Sequence, residues 1–352
     1  MRTVSKKALI LSLAAMLVIL PACSSNNGGQ QESSSEAAAS GDEKIVVGFL
    51  MDTLEEERWQ RDKQYMTAEA EANNVEIKIQ VANGDDAKQI SQAENLINQG
   101  IDVLVAVPHN AEAASAIVEI AHDANIPVLS YERLIKNADV DFYIQVDGER
   151  VGEIQAEALT KLVPKGNYVL IEGADTDNSA HLFKQGQMNI LKPFVDKGDI
   201  KIVYDQWTEE WDPANALANM ENALTSNNNK VDAVLAANDG TAGGAIQALE
   251  AQGLAGKVPV TGQDAELAAM KRIIEGTQTM TVYKPIQPLA KKAMEVAIQM
   301  AKKETVKTDS VTNNGKNDVP TVLVEPIAIT KDNIDKEIIE SGFYTKEQVY
   351  GK

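Results

Sequence analysis

The sequence predicts an α/β protein of two similar doubly wound parallel-sheet domains joined by a multi-stranded hinge. Three observations carry this prediction. Short runs that are apolar throughout alternate with helical patterns from Ile45 to Tyr283, as parallel strands covered on both faces do. The alternation falls into two consecutive series of similar length, the second starting at Gly148. Polar residues recur just past the strand ends, as in Gly48-Phe-Leu-Met-Asp52, Val107-Pro-His-Asn110, Ile171-Glu-Gly-Ala-Asp175, Ala237-Asn-Asp-Gly-Thr241 and Gly262-Gln-Asp264. In open α/β sheets those ends face the crevice that binds ligands.

The first series reads strand Ile45–Leu50, helix Arg58–Ala72, strand Val75–Val81, helix Ala87–Gln99, strand Val103–Val107, helix Ala111–Ala124, and strands Pro127–Tyr131 and Phe142–Val146. Gly100 stops its second helix. The second series reads helix Gly148–Leu162, strand Tyr168–Ile171, helix Ala180–Val195 and strand Ile200–Tyr204. Asp212-Pro213 then offers an N-cap followed by proline at the first helical position, opening a helix to about Thr225. Strand Val231–Ala237, helix Thr241–Ala251, strand Val258–Gly262, helix Ala265–Glu275 and strand Thr279–Tyr283 follow. Asn238 and Asp239 stand where a side chain caps the Thr241 helix. Beyond Lys284-Pro285 come an amphipathic helix Pro288–Lys302, a polar loop to Pro320, a strand-like run Thr321–Ile329 and a polar tail. A last helix and strand that return to the first domain and cross again give the hinge its extra strands. The domains expected are thus 44–147 with 285–318, and 148–284 with 319–352.

The front end is a separate matter. Arg2, Lys6 and Lys7 precede an apolar run of 13 residues, Ala8 to Leu20, which is too short to span a bilayer and suits an export signal over 1–23. The segment ends Leu20-Pro-Ala-Cys23, similar to the lipobox of bacterial lipoproteins, and Cys23 is the only cysteine of the chain. A disulfide framework is excluded, and lipidation accounts for the position of Cys23. Residues 24–43 are rich in Ser, Gln, Asn, Gly and Glu and read as a flexible tether of roughly 25 Å reach. The expected location is the outer face of the cytoplasmic membrane, held by lipid.

Composition limits the function. The net charge of −19 argues against nucleic acid, whose phosphates need clustered Lys and Arg. His122 sits mid-helix, His181 opens a helix, and His109 follows Pro108 at a strand end, so no histidine presents as catalytic. No Gly-x-Ser-x-Gly elbow or Walker loop is present. The loop Met51-Asp-Thr-Leu-Glu-Glu-Glu57 lacks the glycines of a dinucleotide site. Asp175-Thr-Asp-Asn-Ser179 begins like a calcium loop, but Ala180 replaces the turn glycine and Gly186 the bidentate Glu. No catalytic residue, metal or cofactor is expected.

In a chain only 5% aromatic, the three tryptophans Trp59, Trp207 and Trp211 all lie at or just after strand ends. Arg58, Arg133, Asp147, Asp177, Asn238, Asp264 and Lys284 occupy similar places. Such a set suits a neutral sugar: mixed-sign polar groups meet its hydroxyls, and indole packs on its C–H face. A phosphate would call for cations only.

Long runs then carry a resemblance over about 44–349. They include Glu57-Arg-Trp-Gln60, Asp141-Phe-Tyr-Ile144, Leu182-Phe-Lys-Gln-Gly-Gln-Met188, Met220-Glu-Asn-Ala-Leu224, Asn227 through Leu249, and Gly276-Thr-Gln-Thr-Met-Thr-Val-Tyr-Lys-Pro285. The chain resembles the D-xylose-binding proteins of bacterial ABC importers, a family with the type I periplasmic-binding fold. The resemblance implies a ligand set of Arg58, Trp59, Arg133, Asp177, Trp211, Asn238, Asp264 and Lys284. It also implies a monomer that captures D-xylose between closing domains and hands it to a permease and its ATPase. Two positions depart from the family pattern: Glu132 stands for an Asp before Arg133, and Ser179 for an Asn after Asp177. Specificity for ribose, arabinose, glucose or galactose stays open on that account. So does a sensory role that presents the liganded form to a chemoreceptor or a sensor kinase. A repressor with this fold would need a helix-turn-helix where the export signal lies.

Overall fold

The computed structural model describes residues 44–308 and 310–351; the expected export signal, Cys23 and the tether lie outside the described residues. The first half holds β1 (Val46–Met51), α1 (Glu57–Ala72), β2 (Glu76–Val81), α2 (Asp86–Asn98), β3 (Val103–Ala106), α3 (Ser115–Asp123), β4 (Val128–Tyr131) and β5 (Phe142–Val146). The second holds α4 (Gly148–Leu162), β6 (Gly166–Ile171), α5 (Asn178–Asp196), β7 (Ile200–Gln206), α6 (Pro213–Ser226), β8 (Ala233–Ala236), α7 (Asp239–Ala251), α8 (Leu267–Glu275) and β9 (Thr281–Tyr283). Four elements and a short helix end the chain: α9 (Ile286–Ala301), β10 (Ser310–Asn313), β11 (Asp318–Val324), β12 (Ile327–Ile329) and α10 (Lys346–Tyr350).

The fold class is the one expected. The first sheet runs β10-β11-β5-β4-β3-β1-β2, parallel except for β10 against β11. Its inner strands β3, β4 and β5 are buried at every residue, because helices cover both faces; the edge strand β2 is not. The second sheet runs β7-β6-β8 and continues through single parallel bridges, Val234 to Val260 and Gln263 to Val282, to β9 and its antiparallel partner β12. The chain passes between the halves three times, at Asp147, at Lys284-Pro285 and at Glu325-Pro326.

Three expectations need correction. The segment Val258–Gly262 is not a regular strand; one bridge at Val260 ties it to β8. The run Thr321–Ile329 is two strands, since Glu325-Pro326 breaks it: β11 pairs with β5, and β12 with β9. The return to the second half therefore falls after Val324 rather than after residue 318. The polar loop also hides a hairpin, β10 with β11, whose polar side chains concealed it.

Mid-helix glycines set the packing of the second half. A Cβ on Gly152 of α4 would lie 1.9 Å from the Phe183 carbonyl oxygen, and one on Gly186 of α5 would lie 1.9 Å from that of Glu149. The two helices touch backbone to backbone, which no larger residue permits.

Candidate functional site

Ten of the twelve singled-out side chains converge between the halves. Arg58, Trp59, Glu132, Arg133, Asp177, Ser179, Trp211, Asn238, Asp264 and Lys284, joined by Glu56, Phe183 and Gln263, line a space of about 310 Å³. All but Phe183, one turn and a half into α5, sit where a strand has just ended or a helix is starting, so helix caps and site residues are often the same. Asp177 caps α5 by accepting from the Ser179 N–H at 2.8 Å, and Asn238 caps α7 by accepting from the Thr241 N–H at 2.8 Å. With Trp207, Asp147 is one of two exceptions. It caps α4, accepting from the Arg150 N–H at 3.1 Å, and it lies at a crossing instead of in the cleft.

Charge is balanced and tightly paired. Arg58 Nη1 donates to Glu132 Oε1 at 2.5 Å, and Lys284 Nζ donates to the same oxygen at 2.8 Å. Arg133 Nε lies 2.7 Å from Asp177 Oδ2; Lys284 Nζ lies 3.2 Å and Arg58 Nη1 3.8 Å from Asp264 Oδ1. Several of these pairs bridge the halves. Burial alone would raise the Glu132 carboxyl, but Arg58 and Lys284 outweigh it and hold the group at about 2. Burial likewise opposes the Arg133 guanidinium, yet Asp177 and Asp52 keep it firmly charged. Glu56 lacks so close a partner, and burial pushes its carboxyl up.

Behind this layer stands a second one that the sequence did not reveal. Asp62 accepts from Arg58 Nη2 at 3.1 Å and from the Tyr131 hydroxyl at 2.5 Å, and Asp52 accepts from Arg133 Nη1 at 2.6 Å. Trp59 lies between two guanidiniums, with the Cζ of Arg58 4.1 Å and that of Arg133 5.0 Å from its ring. The signal available in sequence was the spacing of Arg58 and Asp62 by one helical turn. For Asp52 it was a carboxylate at the end of β1.

Backbone conformation aims the rest. Glu132 (φ 63°), Trp211 (φ 59°) and Asp264 (φ 96°) all occupy the left-handed region that few such residues adopt. Trp211 lies flat over Gly173, where a Cβ would meet the indole Cη2 at 2.0 Å, and edges against Phe183 with ring centres 6.3 Å apart. Its Nε1, with Gln263 Oε1, Glu56 Oε2 and Asp264 Oδ1, is buried without a hydrogen bond within the chain. The two positions that depart from the family pattern touch: Ser179 Oγ donates to the Glu132 carbonyl oxygen at 3.3 Å. Trp207 stays outside, packing on His181 at 4.6 Å between ring centres.

A cleft of paired charges, two indoles and uncommitted polar atoms between two parallel-sheet halves is the site of a binding protein, and comparison agrees. The periplasmic binding protein domain family matches residues 47–305. The D-xylose-binding periplasmic protein of Haemophilus influenzae is 52% identical over 304 residues, 86% of this chain and 92% of that one. Its counterpart in Escherichia coli is 52% identical over 87% of this chain and 93% of its own. A carbohydrate transporter solute binding protein from Chloroflexus aurantiacus, solved with D-glucose, superposes with a TM-score of 0.82 at 32% identity, covering 87% of this chain and 98% of that one. The chain belongs to the periplasmic binding protein family, in its type I sugar-binding branch. It is a solute-binding protein of that class and not an enzyme.

Proposed function

We propose that the cleft holds D-xylose, enclosed as the halves close, and that the loaded chain delivers it to an ABC import permease driven by its ATPase. The observation that carries this reading is the state of the cleft's polar atoms. Arg58, Arg133 and Lys284 are matched by Glu132, Asp177 and Asp264 at 2.5–3.8 Å, so a charged ligand would leave one charge uncompensated. A neutral polyol instead meets donors and acceptors in mixture: Trp211 Nε1, Gln263 Oε1 and Glu56 Oε2 lack any partner within the chain, and Asp264 Oδ1 has ion-pair neighbours but no hydrogen bond. Trp211 on its Gly173 platform gives a sugar ring an apolar face to lie on.

Calorimetry with xylose, ribose, arabinose, glucose and galactose tests the reading: xylose binds one to one and tightest. Heat from none of the five would sink it. Small-angle scattering with and without sugar reads closure, since ligand groups from both halves favour the closed form only when bridged.

The same proposal holds the chain to the outer face of the cytoplasmic membrane by a lipid on Cys23, working as a monomer. Two acyl chains retain a protein where one does not. No described helix is long and apolar enough to cross a membrane. Replacing Cys23→Ser should move the protein to the soluble fraction, and retention on membranes would refute the anchor.

A further inference from the structure

The mouth of the cleft carries a chain of side chains that sugar binding does not use. In the first sheet the crossings leave from β5 and β11, and β2 is the far edge; in the second they leave from β9 and β12, and β7 is the far edge. Loops after β2, β3 and β7 therefore meet at the side of the cleft remote from the hinge. Glu210, after β7, places Oε1 3.7 Å from Nε2 of His109, which follows β3. The same carboxylate lies over the loop after β2, where a Cβ on Gly84 would be 3.6 Å from its Oε2. His109 Nδ1 lies 3.0 Å from Asp52 Oδ1, and the other Asp52 oxygen accepts from Arg133. One run of contacts thus links the mouth to the cleft, through Glu210, His109, Asp52 and Arg133.

The ownership of these partners matters. Asp52 belongs to the same half as His109 and stays with it when the cleft opens. Glu210 belongs to the other half and meets His109 only on closure. The turn that carries it has two consecutive left-handed residues, Glu210 at φ 55° and Trp211 at φ 59°. That turn directs Trp211 into the cleft and Glu210 onto His109 together, so seating the indole and engaging the histidine are one event.

We propose that His109 and Glu210 form a proton-dependent latch across the mouth, which strengthens closure when the imidazole is charged. The proposal rests on the reading of the cleft as a closing sugar site. The groups facing His109 are acidic from every side but one: Asp52 on β1's end, Glu210 opposite, Asp86 at the start of α2, and Glu55, Glu56 and Asp212 around the same opening. Arg133 is the one cation, and Asp52 and Asp177 hold it. Gln89 fixes the main chain by accepting the His109 N–H at 3.0 Å. The Asp52 carboxylate, 3.0 Å away, does most to raise the imidazole, with Glu210 and Asp86 adding to it against burial. Because Glu210 acts only in the closed form, closure takes up a proton. The gain is complete below the open-form value and disappears as pH rises through the closed-form value, which the acidic neighbours set above the ordinary histidine value of about 6.5.

The experiment is xylose titration of the full chain over a pH series from about 6 to about 9, which crosses the ordinary histidine value and the range above it. The parent should bind about two- to fivefold tighter at the low end than at the high end, the scale of a half-exposed pair. Glu210→Gln and His109→Gln should each flatten this difference. Asp239 and Glu266, neighbouring carboxyls that burial raises, act in parent and variants alike. The difference between parent and Glu210→Gln therefore isolates the latch, and equal slopes in the two would overturn it. If no sugar of the panel binds at any pH of the series, the sugar reading fails instead. The latch is then judged by scattering of the sugar-free chain, where it requires a more compact parent than Glu210→Gln at low pH and equal radii at high pH. Equal radii at both overturn it.

Discussion

The two halves contribute to the cleft in opposite ways. Side chains of the first are already held by their own half: Arg58 by Asp62, Arg133 by Asp52, and Glu132 by Arg58 and by the Val146 N–H at 3.2 Å. Glu56 Oε2 is the exception there, and in the second half, beside the helix-capping Asp177 and Asn238, more groups are left open. Trp211 Nε1, Gln263 Oε1 and Asp264 Oδ1 lack hydrogen bonds, and Trp211 and Asp264 sit on strained backbone. The first half is a preorganised charged wall, and the second is a set of groups whose needs a ligand meets. Preorganisation lowers the ordering cost of binding, while unmet polar atoms supply the difference between empty and filled states. Substitutions should therefore separate by half, with stability failing on one side and affinity on the other.

The largest effect is expected at Glu132. Its removal in Glu132→Ala leaves Arg58 and Lys284 facing each other in a buried site without the carboxylate between them. Asp62 and Asp264 still face the two cations, so the loss is a part of the about 3–5 kcal/mol that breaking a buried pair costs. Denaturant unfolding without sugar should show this loss, and an unchanged midpoint would contradict the wall. The pH dependence follows with its own sign. The Glu132 carboxyl is held at about 2, below its ordinary value, so its share of stability is present at neutral pH and lost as pH falls from about 4.5 towards 2.

Glu172 sharpens the contrast, because it is an open group of the second half that does not face the cleft. Both its oxygens are buried without a hydrogen bond, and Lys184 Nζ comes no nearer than 3.8 Å. Burial, against the pull of Lys184, raises it to about 8. A raised carboxyl favours the folded state below its unfolded value, and that advantage is lost as pH climbs to about 8. Glu172→Gln should match the parent near pH 4.5 and exceed it by about 2–4 kcal/mol above pH 8. Melting curves at the two pH values decide it; sugar affinity should not move.

Next come the cleft groups proper. Asp264→Asn weakens a charge-assisted bond and should cost about 1.5–3 kcal/mol of binding, roughly a 10- to 150-fold loss of xylose affinity. Trp211→Ala should lose at least as much, because it removes the stacking surface. Trp207→Phe is the reference: its ring packs on His181, with Lys184 Nζ 4.7 Å from the ring centre, so melting should shift more than affinity. Parent-like binding by both cleft variants would mean that the sugar sits elsewhere.

Most of the fold was legible because strands covered on both faces must be apolar throughout, which marks them without an alignment. What stayed hidden was polar or short. β10 alternates half-buried and exposed positions too weakly to stand out, and the Val258–Gly262 run meets its neighbour through one bridge only. The cleft residues were readable as polar groups at strand ends, yet Asp147, Asp177 and Asn238 share that grammar and all three cap helices. Only the position of the opposite half separates the two that face the cleft from the one at the crossing. Asp52 and Asp62 were missed for a related reason: they touch the site through Arg133 and Arg58, and sequence shows no such depth.

The smallest effect tests how the second half holds its indole. Gly173 follows β6 against the Trp211 ring, and its φ is not in the left-handed region, so conformational freedom is not what it supplies. Its role is absence of bulk: a Cβ there would lie 2.0, 2.3 and 2.4 Å from three carbons of the Trp211 ring. The ring cannot yield freely, since its Cα is already strained at φ 59° and Phe183 borders it. In Gly173→Ala the indole must tilt away, losing part of its face towards the sugar. A loss of about tenfold in affinity corresponds to about 1.4 kcal/mol, near what a misaligned aromatic contact forfeits. The enclosing strand is otherwise unperturbed, so the melting temperature of the sugar-free chain should fall by only a few degrees. Titrating Gly173→Ala beside Trp211→Ala and the double variant separates the explanations. If Gly173 acts through Trp211, the double variant binds no worse than Trp211→Ala alone. Additive losses would show that Gly173 meets the sugar by itself, and the platform would have to be abandoned.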